Sequence, residues 1–273
     1  MRYSTSAILC LFYSIGSPCQ SVDFRMGGRA MSMGFANAAV SDEWSAYNNI
    51  GSLGAQELKQ AAAVSYRSIY AIEGLGKIAA VTVWPLGKFS GTLNFFRFGD
   101  DRFNESRAGL GLGHKIGFAC LGLQINFHQL MIENFGSRGI FYFDAGGLVE
   151  LFKEFHVGAY IQNISQTRSS RISGEKFPVN MGLGVSYRPG DEVMLNVEVE
   201  KRHDGFTEAR AGIEFSIRDR LFLRTGINLD PARNFFGLGI RPLRFKIDYA
   251  LATQAHLGMS HEVTICYLIK VEE

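Results

Sequence analysis

The chain has 273 residues, a formal net charge of +2, 31 glycines, 22 phenylalanines and only 6 prolines. A near-neutral balance with no basic block gives no electrostatic footprint for nucleic acid, and with no acidic tail there is no solvating segment. Glycine and aromatics in short alternating runs are a β composition, with glycine marking turns, bulges and close backbone approaches.

Residues 1–19 read as a signal peptide. Arg2 supplies the positive start, Ala7 to Ile15 the short apolar run, and Gly16 and Ser17 the small residues before cleavage near Cys19–Gln20. The apolar run is too short to cross a bilayer as a helix; a tail or a buried first strand is the other reading. A lipoprotein signal fits less well, because Cys19 follows Pro18 and Cys10 sits within the apolar run. Cleavage leaves Cys120 and Cys266, too few and too far apart for a disulfide framework. There is no Cys-x-x-Cys or His-x-x-x-His spacing, and no metal or cofactor is expected. No later stretch is long and apolar enough for a transmembrane helix. An exported chain of this kind is periplasmic, secreted or an outer-membrane barrel.

Residues 20–59 are rich in small residues and lack strict alternation. Ser41 is placed to cap a short helix with Asp42 and Glu43 in its first turn, where carboxylates suit the positive helix end. Asn48, Asn49 and Gly51 would end it. A segment of this size before a barrel can fold into the lumen as a plug.

Residues 60–273 form the third region, and the pattern predicts about fourteen strands of barrel length. They fall at 60–70, 76–86, 88–98, 105–115, 117–128, 138–151, 153–163, 176–188, 192–202, 206–218, 220–229, 234–242, 243–253 and 260–270. In a strand, residues i and i+2 share a face. Leu121, Leu123, Ile125 and Phe127 oppose Gly122, Gln124, Asn126 and His128. Val179, Met181, Leu183, Val185 and Tyr187 oppose Asn180, Gly182, Gly184, Ser186 and Arg188. Leu195, Val197 and Val199 oppose Asn196, Glu198 and Glu200, and Phe245, Ile247, Tyr249 and Leu251 oppose Arg244, Lys246 and Asp248. A soluble sandwich also alternates, but seldom over ten residues in every strand. The expected fold is an all-β, antiparallel outer-membrane barrel whose apolar faces meet lipid.

The opposite faces then line the lumen with both signs of charge: Glu198, Glu208, Arg210, Glu214, Arg224, Arg241, Arg244, Lys246 and Asp248. Opposite charges on neighbouring strands attract, so a structural ion-pair network is the simpler expectation and a polar path the alternative. The run GLGLGHKIG, residues 109–117, is a β pattern with glycine inward and not a phosphate cradle, because no helix pattern follows it. Its glycines are expected to clear room for the plug or to allow strong sheet curvature. No Gly-x-Ser-x-Gly occurs and none of the six histidines sits in a nucleophile motif, so no enzyme activity is expected. Tyr66, Tyr70, Trp84, Phe95, Phe96, Phe98 and Tyr187 near strand ends suit an interfacial aromatic girdle.

The stretch FRMGGRAMSMGFANAAVSDEWSAYNNIGSLG resembles the start of the FadL-type outer-membrane family, especially its PorV/PorQ-like branch. The match runs through Gly28-Arg29-Ala30, Met33-Gly34-Phe35-Ala36, Asp42-Glu43 and Asn49-Ile50-Gly51-Ser52-Leu53, with Ile50 and Gly51 where the family has Pro-Ala. The resemblance implies fourteen strands and an inward-folded N-terminal segment. It also implies a role beside the type IX secretion apparatus, with a translocon or secreted cargo as partner. The alternatives are a FadL-like channel for small hydrophobic compounds, or a structural barrel of an envelope complex without transport.

Overall fold

The computed structural model describes residues 23–55, 60–167, 177–202, 206–255 and 257–269. The expected signal peptide, residues 1–19, lies outside them. Fourteen antiparallel strands close into a barrel in chain order, with β1 paired to both β2 and β14. The strands are β1 Ala61–Ser68, β2 Gly76–Leu86, β3 Phe89–Gly99, β4 Phe103–Ile116, β5 Ala119–Ile132, β6 Gly136–Phe152 and β7 Phe155–Gln162. The ring continues through β8 Asn180–Tyr187, β9 Val193–Arg202, β10 Thr207–Ile217, β11 Leu221–Leu229, β12 Ala232–Ile240, β13 Phe245–Gln254 and β14 Gly258–Leu268. Closure pairs every wall strand on both sides, the condition for burying backbone polar groups in hydrocarbon.

The parity reading holds on the outer wall. Leu121, Leu123, Ile125 and Phe127 are exposed and their β5 alternates buried, and the same alternation runs through β9, β10, β13 and β14. The apolar band is continuous around the wall, far beyond what a soluble monomer leaves uncovered. This is the surface of an outer-membrane barrel. An arginine at Leu123, 66% exposed near the middle of β5, is expected to destabilise the barrel in bilayers by about 2–4 kcal/mol. Arginine at Met259, exposed at the start of β14, is expected to cost about 0–1 kcal/mol. Denaturant titration of both variants in liposomes measures the difference.

Among the strand starts that shift from expectation, two lie beside a proline and change which way a residue faces. Pro178 has no N–H to give a ladder, and β8 begins only at Asn180, leaving Val179 buried instead of facing outward. Pro242 and Leu243 form a turn closed by the Phe245 N–H donating to the Pro242 carbonyl at 2.9 Å, so β13 begins at Phe245. Arg244 therefore sits in that turn, exposed, and does not join the luminal charges; its carbonyl accepts the Leu268 N–H.

The barrel has two unlike ends. The end carrying the start of β1 and the finish of β14 is closed by short turns at 87–88, 117–118, 153–154, 188–192, 218–220 and 241–244; we call it the proximal end. The distal end carries the longest connection, 163–179. Residues 23–55 fill the lumen and are almost wholly buried. They hold one helical turn, α1 (Gly28–Ser32), and two 3-10 turns, Glu43–Ala46 and Ile50–Ala55. The sequence did not announce α1. Asp42, not Ser41, caps the first 3-10 turn: its carboxylate accepts the Trp44 N–H at 2.9 Å, while Ser45 returns a bond to the Asp42 backbone. Ser41 instead donates its hydroxyl to the Ser52 carbonyl.

Candidate functional site: the plugged lumen

The plug docks backbone against backbone, and inward glycines make the close approach possible. A Cβ on Gly111 would meet Ile50 Cδ1 at 2.7 Å, and one on Gly113 would meet the Gly54 nitrogen at 2.6 Å. Gly122 and Gly146 face the same 3-10 turn, and Gly212 and Gly226 face Met33. Gly111 and Gly113 of the 109–117 run thus clear space for the plug, whereas Gly109 faces the wall residues Asn94 and Asn126 and Gly117 lies in a turn. Within the plug, Gly27 has φ +111 and a Cβ there would strike the Trp44 ring, so both conformation and space demand glycine.

Polar wall residues then tie the plug down. Glu262 accepts the Gly27 N–H at 2.8 Å and Thr264 the Gly28 N–H at 2.9 Å. One oxygen of Glu198 accepts the Asn37 and Ala38 N–H groups at 2.9 and 2.7 Å. Asn49 donates to the Ala38 and Gly147 carbonyls and accepts the Gly51 N–H, and Asn48 donates to the Met26 carbonyl. Met33 is fully buried with its sulfur 3.3 Å from Asn196, and Gly34 takes φ +67 where α1 ends.

The luminal charges form two clusters. Towards the proximal end Arg29 spans both oxygens of Glu214 at 2.8 and 2.7 Å. Arg224 bridges Glu214 at 2.5 Å and Asp248 at 2.6 Å, and Lys246 reaches Glu43 of the plug at 2.9 Å. Towards the distal end Arg210 contacts Glu198 and Glu200 at 3.2 Å and Glu208 at 2.7 Å, while Arg25 of the plug also reaches Glu200. Burial first, and then the adjacent Glu43 carboxylate, push the Asp42 carboxyl up to about 6.

Several residues of this site escaped sequence reasoning. Arg67 pairs with Glu262 at 2.7 Å, Tyr160 donates to both Glu198 and Glu200, and Lys77 donates to the Asp23 carbonyl. Arg67 and Lys77 share the inward parity of β1 and β2, so the signal was available. An aromatic cluster was also missed. Phe24 packs edge-on against Phe96 at 5.1 Å, and Phe177 lies 4.9 Å from Tyr142 and 5.1 Å from His128. Phe96 is thus a lumen residue, not part of an outer girdle, whereas Phe95, Tyr66 and Tyr187 do face outward.

The cluster lies behind an irregular stretch of wall. The last β6–β7 pair toward the distal end is Ala145 with Ile161, so residues 136–144 of β6 extend beyond β7. The connection covers part of that edge: the Ile164 N–H donates to the Phe143 carbonyl and Thr167 to the Phe141 carbonyl. A small cavity of about 10 Å³ lies there, lined by Phe24, Arg107, Tyr142, Asn163, Phe177 and Asn180.

Fold and site together define a plugged fourteen-stranded outer-membrane barrel. Its architecture is similar to that of FadL-like hydrocarbon channels. The CymD monoaromatic hydrocarbon channel superposes with a TM-score of 0.68 at 9% identity, covering 90% of this chain and 98% of that one. The Pseudomonas putida toluene transporter TodX superposes with a TM-score of 0.65 at 10% identity, covering 88% and 96%. A bacterial polysaccharide outer membrane secretin follows at 0.53 and 9%, covering 79% and 100%. At these identities the likeness is one of fold. No family model and no curated protein matches the chain.

Proposed function

We propose that this barrel is a FadL-like channel for small hydrophobic compounds, with its proximal end in the periplasm. The aromatic cluster behind the β6–β8 irregularity is the observation that carries this reading. It gives an apolar molecule arriving through the wall or the distal mouth an aromatic surface to leave the lipid for. The short turns and both barrel termini at the proximal end support that orientation. The likeness to barrels described as monoaromatic hydrocarbon channels suggests the ligand class. The cavity is too small for such a molecule as it stands, so Phe177, on the long distal connection, is the side chain that would yield.

A second reading, a surface-acting partner in type IX secretion, is supported by the density of bonds between plug and wall. Mild-detergent purification of the tagged protein from native outer membranes, with mass spectrometry of what stays bound, separates the two. A co-purified hydrophobic small molecule, reduced in Phe96→Arg, is the expected result. Recovery of a large translocon or secreted cargo, with no small molecule, would overturn the channel reading.

A further inference from the structure

The proximal end holds two open cavities. A cavity of about 640 Å³ opens among the turns at 153–154, 188–192 and Asp219, and a second of about 360 Å³ lies beside the 3-10 turn at Glu43–Ala46. Arg29, Arg188 and Arg241 line both, so the two cavities meet at three guanidinium groups.

The charge of these arginines is unevenly matched. Arg29 is held by both oxygens of Glu214. Arg188 and Arg241 have no carboxylate at ion-pair distance among the described residues, and the Arg188 Nε is buried with no hydrogen-bond partner. Arg241 stacks its guanidinium on the Phe222 ring, 3.9 Å from the centroid. Burial first, and then the Arg29 charge, push both guanidinium groups below the ordinary arginine range. The carboxylates of the vestibule that are not already paired inside, those of Glu154, Asp191, Glu192 and Asp219, sit exposed on the rim, where solvent and salt screen them. Two half-buried cations face an open cavity whose one buried lining carboxylate, Glu214, is already held by Arg29 and Arg224, which leaves an electrostatic vacancy, and the forked N–H groups of arginine match an oxyanion. Beside them Phe222, Met194 and Val193 give the wall an apolar side.

We propose that the proximal vestibule binds a small organic anion, whose carboxylate or phosphate sits between Arg188 and Arg241 and whose apolar body lies against Phe222 and Met194. The site is inside the barrel, so a headgroup in the surrounding leaflet does not reach it and the ligand arrives from water. The inference does not depend on the channel reading, which concerns the distal aromatic cluster.

The test is thermal unfolding of the full chain in a non-ionic detergent at low salt. Benzoate, phenyl phosphate and inorganic phosphate are titrated against wild type and against the Arg188→Gln, Arg241→Gln double variant. Benzoate or phenyl phosphate should raise the melting temperature saturably, as ligand linkage requires. The double variant should need at least tenfold more of either. The absence of a saturable response in wild type overturns the proposal. So does an equal response in the double variant. Inorganic phosphate acting as strongly as phenyl phosphate would overturn the part assigned to Phe222 and Met194.

Discussion

Replacing Arg210 with alanine is expected to cost the barrel about 3–5 kcal/mol, the penalty of breaking a buried ion network by removing one partner. The Arg210 side chain has no exposed surface, and it is the shared counter-ion of Glu198, Glu200 and Glu208. Without it three buried carboxylates face one another, with Arg25 still paired to Glu200 and Arg233 to Glu208. One of the three, Glu198, also accepts two N–H groups of the plug, so the loss spreads from the wall to the seating of residues 37–38. Neutralising Glu200 and Glu208 as glutamines in the same chain should recover part of the stability, because the cost lies in uncompensated charge. Arg244 is the internal comparison. It carries the same charge and lies close in sequence to Lys246 and Asp248, but it is an exposed turn residue, and Arg244→Ala is expected to stay within about 0.5 kcal/mol of wild type. Denaturant midpoints in detergent measure all three. An Arg210→Ala barrel as stable as Arg244→Ala would show that the network contributes nothing to the fold.

Gly122→Leu is expected to unseat the plug while leaving the wall closed. A Cβ at Gly122 would collide with the Ile50 carbonyl and stand 2.9 Å from the Gly51 nitrogen, so backbone and not a movable side-chain tip stands in the way. Overpacking of this kind costs about 1–3 kcal/mol and occasionally more. The 3-10 turn at Ile50–Ala55 has one direction to move, out of the lumen. Protease added to the folded variant should cut within 43–55, where wild type resists, and planar-bilayer conductance should rise. Gly190→Ala provides the control, since nothing lies within 4 Å of its added Cβ and its φ is ordinary. Unchanged proteolysis and conductance in a folded Gly122→Leu barrel would mean that the plug does not seal the lumen there.

The fourteen strands, their two faces and the inward direction of Glu198, Arg210, Glu214, Arg224, Lys246 and Asp248 follow from the amino-acid order alone. Side-chain alternation is a local property of extended backbone, and lipid on one face makes the apolar half of each strand unambiguous. The glycine run at 109–117 was legible for a related reason: a strand that places glycine on three successive inward positions, 109, 111 and 113, has room kept for something beside it.

Tertiary structure decided the rest, because it depends on register, closure and what fills the lumen. Two prolines moved the starts of β8 and β13, which sent Val179 inward and Arg244 into solvent. Phe24 and Phe177 lie outside any strand, so no periodicity could join them to Phe96 and Tyr142; only closure of the ring brings them together. Which carboxylate meets which arginine was likewise unreadable, since Arg29 meets Glu214, 185 positions away, only once the plug has folded into the barrel. Arg188 and Arg241 are left facing open space for the same reason: their neighbours are set by how turns from distant strands converge at one end of the barrel.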